Sequence, residues 1–227
     1  MLNRRDFYLT VFAAAFAGGL GAIALGSAHA ALSAKAARLA EFYDGLGVEQ
    51  RWLAGVNVNW ETGAPDGVPE RTEGKHTHCS AFVAAVAKQL GIYILRPPEH
   101  GQVFLANAQS DWLAAAGTSQ GWTSLSDADA AQSAANKGLF VVASYHNHNA
   151  TKPGHIAIVR PSTKPAEQIV ADGPDVIMAG IQNYTDTTLA HGFAGHPLAW
   201  ARGREVRFFA HEWNFAALRS AQDTAFS

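Results

Sequence analysis

The hydrophobic period of this chain changes at Gly138. Before it, apolar residues recur at steps of three and four. Leu32, Ala36, Leu39 and Tyr43 predict a helix that ends near Gly45 and Gly47. Cys79, Phe82, Val83, Val86 and Leu90 predict a second helix, with Thr77 as N-cap and Gly91 as stop. Val103 to Ala116 and Asp127 to Asn136 predict two more. After Gly138 the apolar residues are β-branched and run in short blocks. Leu139 to Tyr145, His155 to Val159, Glu167 to Ala171, Val176 to Ile181 and Glu205 to Ala210 read as strands. Helices first and strands after predict an α+β fold with an antiparallel sheet. The stretch from Gly55 to Lys75, punctuated by Gly63, Pro65, Gly67 and Pro69, predicts a long loop. Long loops in small domains often carry function.

Residues 1–30 read as an export leader and are set apart from the fold. Arg4-Arg5 precedes an Ala/Gly-diluted apolar run from Phe7 to Leu25, and Ala28-His29-Ala30 offers a cut after Ala30. This pattern resembles a twin-arginine translocation signal, which is an address and leaves no stable membrane anchor once cleaved. Residues 31–227 then form a single mature domain, periplasmic or secreted, with enough mass for a core. A net charge of −2 excludes the basic character of a nucleic-acid binder. The oligomeric state is left open by the sequence.

Cys79 is the only cysteine, so the domain holds no internal disulfide. An unpaired thiol is exposed to oxidation in an exported protein, which makes a chemical role for it worth weighing against a buried structural one. Its place in the first turn of a helix predicts a thiol pKa below the usual 8.5, because the free N–H groups and dipole there favour the thiolate. His155 opens a strand behind Lys152-Pro153-Gly154. Cys79 as nucleophile and His155 as base are the minimum kit for covalent amide hydrolysis.

The segments His78-Cys79-Ser80-Ala81-Phe82-Val83, Ala134 to Gly138 before the strand of Val141 and Val142, Pro153 to Val159, and Ala179-Gly180-Ile181-Gln182-Asn183 together resemble the papain-like cell-wall cysteine hydrolases of the NlpC and CHAP (cysteine, histidine-dependent amidohydrolase/peptidase) type. The resemblance implies a papain-like fold and cleavage of peptidoglycan amide bonds without a cofactor. It implies Cys79 as nucleophile, His155 as base and Asn183 as the polar residue that orients the imidazole, with Asp172, Asp175 and Gln182 as rivals. The oxyanion would be met by the Cys79 amide and an upstream donor from among Asn59, Trp60 and His78. Asn59 and Trp60 would also contact wall-derived peptides, and the loop tryptophans Trp60 and Trp122 could stack on substrate.

Two other classes stay open. One is a non-catalytic binding module on the same scaffold. The other is a zinc hydrolase using His76 and His78 with Cys79, or His146 and His148 with His155. Neither histidine cluster has a recognised zinc spacing, and no metal is assigned.

Overall fold

A computed structural model describes residues 32–68 and 76–214. The twin-arginine leader, its cut after Ala30 and the end of the Gly/Pro-rich loop lie outside the described residues. Three helices come first: α1 (Ala34–Asp44), α2 (Cys79–Gln89) and α3 (Leu105–Ala115). The short strand β1 (Thr123–Leu125) and α4 (Ala128–Asn136) follow. Then come β2 (Phe140–Tyr145), β3 (His155–Val159), α5 (Ala166–Asp172), β4 (Asp175–Met178), β5 (Tyr184–Thr188), α6 (Leu189–Gly192) and β6 (Arg207–His211). The fold is α+β: one six-stranded sheet in the order β1-β6-β2-β3-β4-β5, antiparallel throughout.

Local chemistry accounts for most helix ends. The Ser33 hydroxyl accepts the Ala36 N–H at 3.0 Å and caps α1, while Asp127 accepts the Ala130 N–H at 2.8 Å and caps α4. Gly91 and Gly138 follow α2 and α4 at φ of 73° and 87°, where a side chain would be strained. The cap of α2 departs from the sequence reading. His78, not Thr77, is the N-cap, and it makes no side-chain capping bond.

Every residue of β2 and β3 is buried because both faces of the sheet are covered. On one face Val142, Ile156, Ile158, Ile177 and Phe209 pack against α1, α2 and α3 through Leu39, Tyr43, Phe82, Val83, Val86 and Leu113. Burying side chains of this size contributes about 1.5–3 kcal/mol each. On the other face Val141, Ala143, Tyr145, Ala157, Val159, Val176 and Met178 meet Ala131, Ala135, Leu189, Phe193 and Trp200. This double burial also explains why the strands lack alternation in the sequence.

One expected strand is a helix. Glu167 to Ala171 lies in α5, where only Ile169 is buried and Val170 is exposed. Pro165 occupies its N-cap position, and the adjacent Ile-Val pair mimics a strand without burying as one. Among the described residues no helix is long and apolar enough to cross a membrane.

The antiparallel register brings the end of β2 and the start of β3 to one edge of the sheet, with Tyr145 opposite His155. Gly154 is required there. A Cβ on it would lie 2.1 Å from the Tyr145 carbonyl oxygen and 2.4 Å from Asn107 Oδ1. Asn107 in turn accepts the Asn147 N–H at 2.9 Å and donates to the Lys152 carbonyl at 3.3 Å, tying the β2–β3 loop to α3.

Candidate active site

Cys79 is the first residue of α2 and is 4% exposed. The sulfur meets the backbone N–H of Ile156, the N–H groups of Ser80 and of Cys79 itself, and the Thr77 side chain. Burial nevertheless outweighs these donors and pushes the thiol pKa up. The low pKa predicted from the helix start is therefore reversed. Four donors around a sulfur stabilise a thiolate only where water or an opposite charge offsets its desolvation.

His155 begins β3 and is 5% exposed. Its ring meets Phe193 edge-on, with centroids 4.6 Å apart at 72°, and stacks on His196 at 5.6 Å and 16°. Burial first, and the neighbouring His196 second, lower its pKa to about 3. Nε2 is buried and has no hydrogen-bond partner among the described residues. Both candidate groups are thus neutral near pH 7 in this arrangement.

The two side chains reach β3 from opposite directions. Cys79 packs with Ile156 and Ile158, whereas His155 shares the face of Tyr145 and contacts Phe193. They meet at consecutive residues, since the N–H directed at the sulfur belongs to Ile156. No hydrogen bond joins thiol and imidazole. Gly154 serves the Tyr145 carbonyl rather than approach by the sulfur, and Ala157 lies on the face away from Cys79.

Asn183 is engaged elsewhere. Its Oδ1 accepts the Gly180 N–H at 2.8 Å, and its Nδ2 donates to the carbonyls of Val48 at 2.8 Å, Arg51 at 2.7 Å and Trp52 at 3.3 Å. It clamps the turn after β4 to the segment after α1 and does not reach His155. Its rivals are not bonded to His155 either. Asp175 pairs with Lys164 at 3.0 Å, Gln182 Oε1 accepts the Tyr184 hydroxyl, and Asp172 is exposed at the end of α5.

The expected substrate contacts also fall away from the thiol. Asn59 Oδ1 accepts the N–H groups of Glu61 and Thr62, which makes it a loop-shaping residue. Trp60 lies under Lys88 Nζ at 5.4 Å, at the C-terminal end of α2, and Cys79 is at the other end. Nine residues of helix separate those ends by about 13 Å. Trp122 is 1% exposed and donates to the Tyr93 carbonyl, so it is core. His78 Nε2 donates to the Val56 carbonyl at 2.8 Å, which occupies the donor an oxyanion would need.

In the second histidine cluster, His146 and His148 are each held by a carboxylate. His146 Nδ1 lies 2.9 Å from Asp111, and His148 Nε2 lies 2.7 Å from Glu205. Among the described residues no group of three or more His, Cys, Asp or Glu side chains is arranged to hold a metal ion.

His196 escaped the sequence reading. It sits in the loop after α6, in Gly195-His196-Pro197, where no periodicity links it to His155. Only the folded turn brings the two rings together. No protein-family model matches the chain, and no curated protein matches it.

Proposed function

We propose that this chain is an exported cysteine hydrolase of the papain-like, NlpC or CHAP type that cleaves an amide bond of peptidoglycan through a thioester. One observation carries the reading: the sole thiol stands at a helix N-terminus, ringed by N–H donors, beside the residue that follows a strand-opening histidine. His155 would take the thiol proton as the sulfur adds to the carbonyl carbon, once substrate brings together the two side chains that here lie on opposite sides of β3. The N–H groups of the first turn of α2 would face the resulting oxyanion. Collapse breaks the C–N bond, the amine leaves with the proton from His155, and water hydrolyses the thioester. The twin arginine at Arg4-Arg5 would deliver the enzyme to the compartment of its polymer. No cofactor enters these steps.

The test is to incubate the full chain with sacculi, muropeptides and casein, each beside Cys79→Ala, and to weigh the products. Wall fragments released only by the wild type support the reading. Cleavage of casein alone removes the wall and keeps the thiol chemistry.

The buried, neutral thiol favours one second reading, a non-catalytic binding module on the same scaffold. Absence of any Cys79-dependent product, with retained binding to sacculi, would establish it. A zinc hydrolase draws no support from the described residues.

A further inference from the structure

We propose that His196 is a positioning residue for His155, holding by ring stacking the imidazole that a hydrogen-bonded third residue would otherwise orient. This rests on the reading of His155 as the base. A base must be held in one orientation, and neither hydrogen bonding nor Asn183 does so here. Nε2 is unpartnered, no side chain among the described residues hydrogen-bonds either ring nitrogen, and the Asn183 carboxamide is fully engaged with backbone.

What remains is a clamp of rings. Phe193 presses its edge on His155 at 4.6 Å, and His196 lies nearly parallel to it at 5.6 Å. Aromatic contacts of this kind add to area burial and favour one ring orientation. The clamp is itself braced. The His196 N–H donates to the Phe193 carbonyl at 2.8 Å, the Ala199 N–H donates to the His196 carbonyl at 2.8 Å, and Tyr145 backs the His196 ring at 5.5 Å. Past the end of β4, a Cβ on Gly180 would lie 3.7 Å from His155 Cε1.

The stack also fixes charge. Two imidazoles this close do not both bind a proton at low cost, and burial disfavours the proton on each. The ionisable groups around His155 are Tyr145 from β2, Cys79 from α2 and His196 from the loop after α6, and Glu205 acts on Tyr145. Among the described residues none of those in contact is a carboxylate that would favour imidazolium. Burial first and His196 second disfavour the imidazolium, so His155 rests neutral in the clamp.

Histidine NMR titration of the full chain and of His196→Ala and His196→Phe tests this without any substrate. In His196→Ala both the cover and the chargeable neighbour are lost, so His155 should titrate upward from about 3 towards the ordinary 6.5. Its ring signals should also broaden or double. His196→Phe keeps the stacked ring and should keep one sharp signal, with a smaller upward move from loss of the neighbour's charge. If His196→Ala does not fold, His196→Gln makes the same comparison without a ring. Identical His155 titration and line shape in all folded variants would overturn the proposal, whatever the hydrolysis assays give. Should hydrolysis be absent while the titration moves as described, the reading of function fails and the clamp stands.

Discussion

The Cys79 thiol lies against the backbone N–H of Ile156, the residue after His155 on β3. The proposed nucleophile and base are thus brought to one strand start, the thiol from the side of α2 and the imidazole from the side of Phe193. Because burial dominates over the surrounding donors, the resting thiol should react slowly. Alkylation of Cys79 by iodoacetamide, followed by mass spectrometry, should be slow at pH 7 and accelerate only above the ordinary thiol range. With one cysteine in the chain the signal is unambiguous. Rapid labelling at pH 7 would show a thiolate and contradict the burial argument.

Cys79→Ala should abolish hydrolysis and cost little stability. The substitution removes one buried sulfur atom and leaves the α2 backbone unchanged, so about 1 kcal/mol is expected. Urea unfolding of both proteins measures the cost. A loss of several kcal/mol would assign Cys79 to the core instead.

Asn183→Ala should act on stability first. It strips a partner from the Gly180 N–H and from the carbonyls of Val48, Arg51 and Trp52. Leaving such groups unpaired costs about 1–3 kcal/mol where water cannot replace the bonds. Asp172→Ala, on the exposed end of α5, should stay within about 0.5 kcal/mol. Equal unfolding midpoints for the two variants would refute the clamp role.

The sequence carried the helices and central strands because their signal is local. Leu39 and Tyr43, Val83 and Val86, and the block from Phe140 to Tyr145 announce burial by spacing alone. Tyr184 to Thr188 did not, since β5 is a polar edge strand with no buried residue. In the site, Cys79 and His155 were legible as residue types at element starts. Their ionisation was not, because burial depends on what α2, Phe193 and the loop around His196 do in three dimensions. Asn183 was legible as important and misread in role: a polar residue after a strand looks the same whether it orients a side chain or ties two loops.

Gly154→Ala should be among the most damaging single changes. Its Cβ would lie 2.1 Å from a carbonyl oxygen of the neighbouring strand, so β2 or β3 must shift at the edge that carries His155. A cost above about 3 kcal/mol is expected, in the range of severe overpacking. Gly195→Ala meets nothing within 4 Å and serves as the control, with a change within about 0.5 kcal/mol. Thermal unfolding of the pair separates them, and a stable Gly154→Ala would mean that the β2–β3 edge can open.

Stability should fall in mild acid, and His155 gives the sign. Its folded pKa of about 3 lies below the ordinary 6.5, so between those values the unfolded chain holds a proton that the folded chain refuses. The stabilisation is fully present above pH 6.5 and is lost as pH falls towards 3. The limit from this group alone is about 5 kcal/mol. His196, also lowered by burial, acts in the same direction. Asp186, raised by burial, has the opposite sign and weakens the fold as pH rises above its ordinary 3.8. His155→Phe isolates the main contribution, because it fills the clamp of Phe193 and His196 with a ring that does not titrate. Urea unfolding across pH 4–7 should show a steep rise in stability for wild type and a flatter one for His155→Phe. Parallel curves would mean that the imidazole reaches water, and the neutral, buried base would have to be abandoned.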